Sequence, residues 1–169
     1  VALSQESLDK VDPAYRSDTG AWVGTSGRAR VLNYSTDLVP ADALPTSVLE
    51  LTDQAWKDQV AWAPTNASFQ SFVTAMRLSQ GEQPTEAWLT DMVANGAKSY
   101  ESNSEIRDAV DAGTIKVGLS NHYYLYEKTA EVGADAVSVA NHFFAPGDVG
   151  SLVNVAGVGI LASSERAAD

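Results

Sequence analysis

The sequence predicts an α/β fold, a mixed or mainly parallel sheet flanked by helices. Short apolar runs bounded by Gly and Pro alternate with amphipathic stretches of roughly 10 to 15 residues, the pattern of strands laid between helices. The composition, 44% hydrophobic and 20% charged, suits a packed interior and excludes disordered, collagenous and coiled-coil chains. At 169 residues without an internal repeat, one globular unit is expected that needs neither disulfides nor a structural metal.

Taken in order, SQESLDKVDPAYR reads as a short helical turn followed by a Pro-initiated turn, and Asp18 to Gly20 as a further turn. Trp22 to Tyr34 alternates after Ser26-Gly27, which predicts one strand or two bent at Gly27, with Val31 on one face and Arg28, Arg30 and Leu32 on the other. A polar connection from Pro40 to Pro45 leads into SVLELTDQAWKD, and QVAWAP is a short strand stopped by Pro64. Phe69, Phe72, Val73 and Met76 recur at helical spacing in NASFQSFVTAMRLSQ, which Gly81 ends. PTEAWLTDMVANG is a second helix, with Pro84 at its start, Trp88, Leu89, Met92 and Val93 inward, and Asn95-Gly96 as its stop. SNSEIRDAVDAG is a third, capped by Ser102 or Asn103. TIKVGLS is a strand, SNHYYLYEKTAEVG a helix, and SLVNVAGVGILAS a final strand before the charged ending SSERAAD.

A net charge of −11 leaves no basic cluster to replace phosphate counterions, so nucleic acid is excluded as a partner and an anionic membrane surface is disfavoured. The absence of cysteine removes thiolate nucleophiles, disulfides and Cys-type zinc sites together. No apolar run reaches the ~18 residues of a membrane span, and the start VALSQESLDK lacks the basic and apolar regions of a signal peptide. There is no Walker A sequence, HExxH or GxSxG. Gly157 to Ala162 fits G-x-G-x-x-A, but it lies near the chain end with no following βα unit and reads as a Gly-containing strand.

The two histidines, His122 and His142, sit in the strings NHYY and NHFF and read as hydrogen-bonded structural residues. Trp56, Trp62 and Trp88 read as core. Tyr123 and Tyr124 fit that bland reading less well, because neighbouring residues on a helix point about 100° apart and cannot both enter one core face. At a helix start both phenols can project forward together, a geometry suited to binding a hard trivalent cation such as Fe(III) through deprotonated oxygens. Asn103, Asn121 and the segment Thr65-Asn66-Ala67-Ser68 fall at predicted helix starts, where free backbone N–H groups favour an anion. Ordinary N-capping explains each one singly; convergence of all three beside the tyrosines would make an anion pocket.

These residues carry a family resemblance. WVGTSGRARVLNYS, LELTDQAWKDQVAWAPTNASFQSFVTAMR, NGAKSYESNSEIRDAVDAGTIKVGLSNHYYLY and NHFFAPGDVGSLVNVAGVGIL resemble consecutive segments of the bacterial iron(III)-binding receptors of ABC transporters, the bacterial transferrins, from about Ser4 to Ser164. The resemblance implies a periplasmic-binding-protein-like (type II) fold in which residues 1–169 form the second of two α/β lobes, the partner lobe lying outside this chain. It implies metal ligation by Tyr123 and Tyr124, and a synergistic anion, phosphate or carbonate, held by Thr65, Asn66, Ala67, Ser68, Asn103 and Asn121. The loop departs from the family's Ser-Gly-Ala-like version, Asn66-Ala67-Ser68 being bulkier, and Phe69 cannot supply the third tyrosine that some members place there. Iron uptake through an ABC-transporter permease, an extracytoplasmic location in the periplasm or at the cell surface, with a lipid anchor as one mode of attachment, and no enzymatic activity are implied with it. Two other readings remain open at this stage: a receptor lobe for an oxyanion or small organic acid without iron, and a small hydrolase using His122 or His142 as general base.

Overall fold

A computed structural model describes residues 1–166; Ala167 to Asp169, the end of the charged SSERAAD segment, lie outside the described residues. The chain divides into two compact units, one of Val1–Arg28 with the segment from Val153 onward, the other of Ala29–Leu152.

In the smaller unit, α1 (Gln5–Leu8) is capped by Ser4, whose side chain accepts from the backbone of Ser7. β1 (Val23–Ser35) begins here and continues into the larger unit as one strand. It runs through Gly27 without the break that the sequence allowed. β6 (Val153–Val158) pairs with β1, and Thr25 Oγ1 donates to Ala156 O at 3.1 Å. The final strand is therefore shorter than its apolar run. Gly157 lies within it and no helix follows among the described residues, so the G-x-G-x-x-A match carries no dinucleotide site.

The larger unit is built on a mixed sheet. β2 (Val60–Trp62) lies parallel to both β3 (Lys98–Ser99) and β4 (Val117–Asn121), while β1 is antiparallel to β4 and to β5 (Val139–His142), giving the order β3-β2-β4-β1-β5. Both faces are covered. On one, Leu32, Val60, Trp62, Val117 and Leu119 pack with Phe69, Phe72 and Met76 of α2 (Ala67–Gln80) and Trp88 and Met92 of α3 (Glu82–Ala94). On the other, Ala61 and Val139 pack with Ile106 and Val110 of α4 (Asn103–Asp111). Cover on both sides explains why Arg30, Val31, Leu32 and Asn33 are all buried although the sequence alternates there. The three core tryptophans are buried as expected.

Several boundaries differ from the sequence reading. α3 begins at Glu82, so Pro84 occupies its third position, still inside the first turn where a missing N–H costs nothing. Its buried stripe is Thr85, Trp88 and Met92; Leu89 is half-buried and Val93 is 66% exposed. Asn121 closes β4 instead of opening the next helix, α5 (Tyr123–Val132). β3 and β5 have no counterpart among the predicted elements: at two and four residues they are too short for any periodicity to register.

This topology fixes where the site forms. The three parallel strands β3, β2 and β4 lead into α4, α2 and α5 respectively. Parallel neighbours end on the same edge, so three helix starts open along one rim of the sheet.

Gly118 in β4 lets α4 approach the sheet, since a Cβ there would collide with Ile106 Cγ2 and press on Ala61 Cβ. Gly118→Val should lower the unfolding free energy by about 1–3 kcal/mol, seen as a reduced urea midpoint at unchanged slope. An unchanged midpoint would mean that α4 does not depend on this contact.

Candidate functional site

At the rim, the predicted polar residues gather around a side chain that the sequence reading left unassigned. Arg30 is 2% exposed. Its Nη1 donates to Ser68 Oγ at 3.3 Å and, at the long limit of 3.5 Å, to Asn121 Oδ1, and its Nη2 donates to Leu119 O at 3.1 Å. The guanidinium carbon lies 5.4 Å from the Phe69 ring centroid and 5.6 Å from that of Phe72, within cation–π range. Register explains the placement, because Arg30 of β1 pairs directly with Asn121 of β4.

None of the ion pairs among the described residues includes Arg30. Its Nε is buried without a hydrogen-bond partner. Burial pushes its pKa down to about 9, while the nearby Tyr124 acts in the opposite sense. The guanidinium therefore stays charged at neutral pH, a desolvated cation without a carboxylate partner among the described residues. Such a charge is costly unless an anion approaches.

Ser68 and the asparagines form a chain of hydrogen bonds beside it. Asn66 caps α2, its Oδ1 accepting from Ser68 N at 2.9 Å and from Ser68 Oγ at 2.7 Å. Asn103, the first residue of α4 and 1% exposed, donates through Nδ2 to Ser68 Oγ at 3.1 Å, and its own Oδ1 has no partner. The structure thus brings Asn66, Ser68, Asn103 and Asn121 together. Thr65 and Ala67 flank them and are exposed.

The three helix starts differ in kind. Asn66 caps α2 and Ser102 caps α4, accepting from Glu105 N at 3.2 Å, so capping accounts for these two. At α5 the N-cap residue His122 makes no side-chain capping bond. That start carries the tyrosines. Tyr123 and Tyr124 are half-buried, and their rings stack with centroids 4.3 Å apart and planes 28° from parallel. Such stacking requires both side chains to leave the helix start together.

A charged network holds α5 against α4. Arg107 Nη1 donates to the Tyr124 carbonyl at 3.0 Å, and Lys128 Nζ bridges Asp108 Oδ1 at 2.8 Å and Asp111 Oδ2 at 2.7 Å. Burial alone would raise the Asp108 carboxyl, but hydrogen bonds from Lys128 and Arg107 outweigh it and hold the group below its ordinary value.

Both histidines bind backbone. His122 Nδ1 accepts from Ala29 N at 3.1 Å. His142 Nε2 donates to Pro45 O at 2.7 Å. Among the described residues no three His, Cys, Asp or Glu side chains cluster to hold a metal.

The whole chain, residues 1–169, matches the family model described as bacterial extracellular solute-binding protein. It is 35% identical over 164 residues to an Fe(3+)-binding periplasmic protein of Serratia marcescens, covering 97% of this chain and 48% of that one. The major ferric iron-binding protein of Neisseria meningitidis is 35% identical over 145 residues, covering 86% and 44%. Among solved structures, iron-bound HitA from Pseudomonas aeruginosa superposes with a TM-score of 0.87 at 32% identity, covering 98% of this chain and 53% of that one. A Trichodesmium protein in complex with iron and citrate superposes with a TM-score of 0.80 at 28% identity, covering 94% and 52%. The chain spans about half the length of the curated relatives it matches.

The Asp108 shift sets a pH test of the α4–α5 network. A carboxyl with a lowered native pKa adds stability that is fully present above its unfolded value of about 4 and is lost as pH falls through the native value. Lys128→Met removes the principal partner, so the urea midpoint of the variant should fall less than the parent's between about pH 5 and pH 3. Equal losses in the two proteins would remove this pair from the acid response.

Proposed function

This chain belongs to the bacterial extracellular solute-binding protein family, and on that premise we propose that it is the anion-holding lobe of an extracytoplasmic iron(III) receptor. One observation carries the reading: a buried guanidinium, without a carboxylate partner among the described residues, lies within electrostatic reach of Tyr124, which stacks with Tyr123 at the one helix start of the three that no side chain caps.

Fe(III) is the cargo. Tyr123 and Tyr124 offer adjacent phenol oxygens, which a hard trivalent cation holds as phenolates near neutral pH. A synergistic anion, phosphate or carbonate, takes the place that Arg30, Asn103, Asn121 and the Thr65–Ser68 turn surround. It neutralises the buried charge and shares the cation with the phenolates. Residues 1–169 supply one lobe, and a partner lobe supplied by the rest of a two-lobe parent closes over the cation, completes its coordination and excludes water. Delivery to an ABC-transporter permease from the periplasm or cell surface follows from the same assignment, and the protein acts by binding, without enzymatic chemistry. The names of the relatives support the iron reading.

The donor set around Arg30 also favours a second reading, an oxyanion or small organic acid receptor in which the tyrosines only stack. Replacing both Tyr123 and Tyr124 with Phe separates the two. Under the iron reading, a ferric citrate titration of the parent protein develops a phenolate-to-iron charge-transfer band, and the double variant shows none while still binding phosphate. A parent protein without the band, with anion binding intact, would leave the second reading standing.

Arg30→Met should weaken phosphate binding roughly tenfold to a hundredfold, as expected for loss of a charged hydrogen-bonding partner. Its thermal midpoint should hold or rise, because an apolar side chain replaces an unpaired buried charge. Unchanged phosphate affinity would remove Arg30 from the anion site.

A further inference from the structure

The hydrogen-bond chain at the rim has a fixed polarity. Arg30 can only donate. Asn66 must present Oδ1 to Ser68, because it accepts the Ser68 backbone N–H at 2.9 Å. The Ser68 hydroxyl then gives its single proton to the same oxygen at 2.7 Å, and its lone pairs are taken by Arg30 at 3.3 Å and Asn103 at 3.1 Å. A hydroxyl so committed can receive only the NH2 group of Asn103, which leaves the amide oxygen of Asn103 directed elsewhere. That oxygen is buried and has no donor. That unpaired acceptor belongs to a side chain joined through Ser68 Oγ to a group that only donates, the guanidinium of Arg30, whose own Nε is unpartnered among the described residues.

We propose that Asn103 makes this subsite selective for an oxyanion that still carries a proton, the class of hydrogen phosphate and bicarbonate, against a fully deprotonated one such as sulfate. The inference rests on reading the cluster as an anion site. Hydrogen phosphate and sulfate are both tetrahedral dianions and differ by one hydroxyl proton. The guanidinium and helix N–H groups serve either equally. Only the protonated oxyanion gives the Asn103 oxygen a donor; sulfate sets lone pair against lone pair, a mismatch that buried sites penalise strongly.

The test is competition between inorganic phosphate and sodium sulfate on the full chain at constant ionic strength, read by 31P line broadening and by calorimetry. Phosphate should bind tenfold or more tightly than sulfate, the scale of one misplaced buried hydrogen bond. Asn103→Ala should bring the two anions to within about twofold of each other. Asn103→Asp, which keeps an acceptor, should weaken both anions yet retain the preference, a pattern that general loss of structure does not give; circular dichroism monitors folding of both variants. Equal binding of phosphate and sulfate by the parent, or an undiminished preference in Asn103→Ala, overturns the role of Asn103 and leaves the anion site standing. Binding of neither anion by the parent overturns the anion site and this inference together.

Discussion

The rim of the larger unit is organised by one constraint: Arg30 is buried without a counter-charge. A guanidinium taken out of water must find acceptors for its donors and something to balance its charge. Ser68, Asn121 and the carbonyl of Leu119 meet part of the first need, and the faces of Phe69 and Phe72 meet part of the second. The remainder is unmet within the described residues. The hydrogen bonds of its neighbours run in one direction, since the Ser68 backbone N–H fixes Asn66 as an acceptor, the Ser68 hydroxyl gives its proton to the same oxygen, and Arg30 and Asn103 then donate to Ser68. The chain as a whole carries a net charge of −11 and repels anions at long range. Under the proposed assignment, local attraction of an anion at the rim comes from a desolvated charge and oriented amides, which act over short distances.

Strand direction is what delivers those groups to one place. Had β2, β3 and β4 been antiparallel neighbours, the starts of α2, α4 and α5 would fall on opposite edges of the sheet. Because they run parallel, each turn from strand to helix opens on the same rim. β1, antiparallel to β4, brings Arg30 opposite Asn121 at that edge. The α4–α5 charge network then has a geometric consequence, for it ties Lys128 and the Tyr124 carbonyl to α4. The tyrosine pair is thereby held to a helix whose own first residue is Asn103.

Much of this was legible in the residues. The Tyr123-Tyr124 pair stands out because a helix cannot bury two neighbours on one face. The helical spacing of Phe69, Phe72 and Met76 and the isolated apolar runs located most of the layers. What escaped has physical causes. β3 and β5 exist through pairing with longer neighbours, and Lys98-Ser99 and Val139–His142 lack the apolar run closed by a proline that marked the three-residue β2. Val93 matched the helical period yet is exposed, because α3 packs along a narrow stripe centred on Trp88. Arg30 was placed on one strand face beside Leu32 and not recognised as buried, because alternation implies one wet face and here both faces are covered. The available signal was its position against an unbroken apolar run, Val31-Leu32, where a charge has no solvent to reach.

Charge balance ties these features together. Under the proposed assignment, the two phenolates and a hydrogen phosphate dianion carry as much negative charge as a trivalent cation and one guanidinium carry positive. A carboxylate beside Arg30 would neutralise it permanently and leave a bound dianion in excess, so the lack of an acidic partner for Arg30 among the described residues is what allows that balance to be reached when the cation and its anion arrive together. The same reasoning accounts for a buried charge being retained in a core that an aliphatic residue would pack more cheaply: Arg30 makes the loaded rim close to neutral, while the unloaded rim bears a charge that favours capture of the anion.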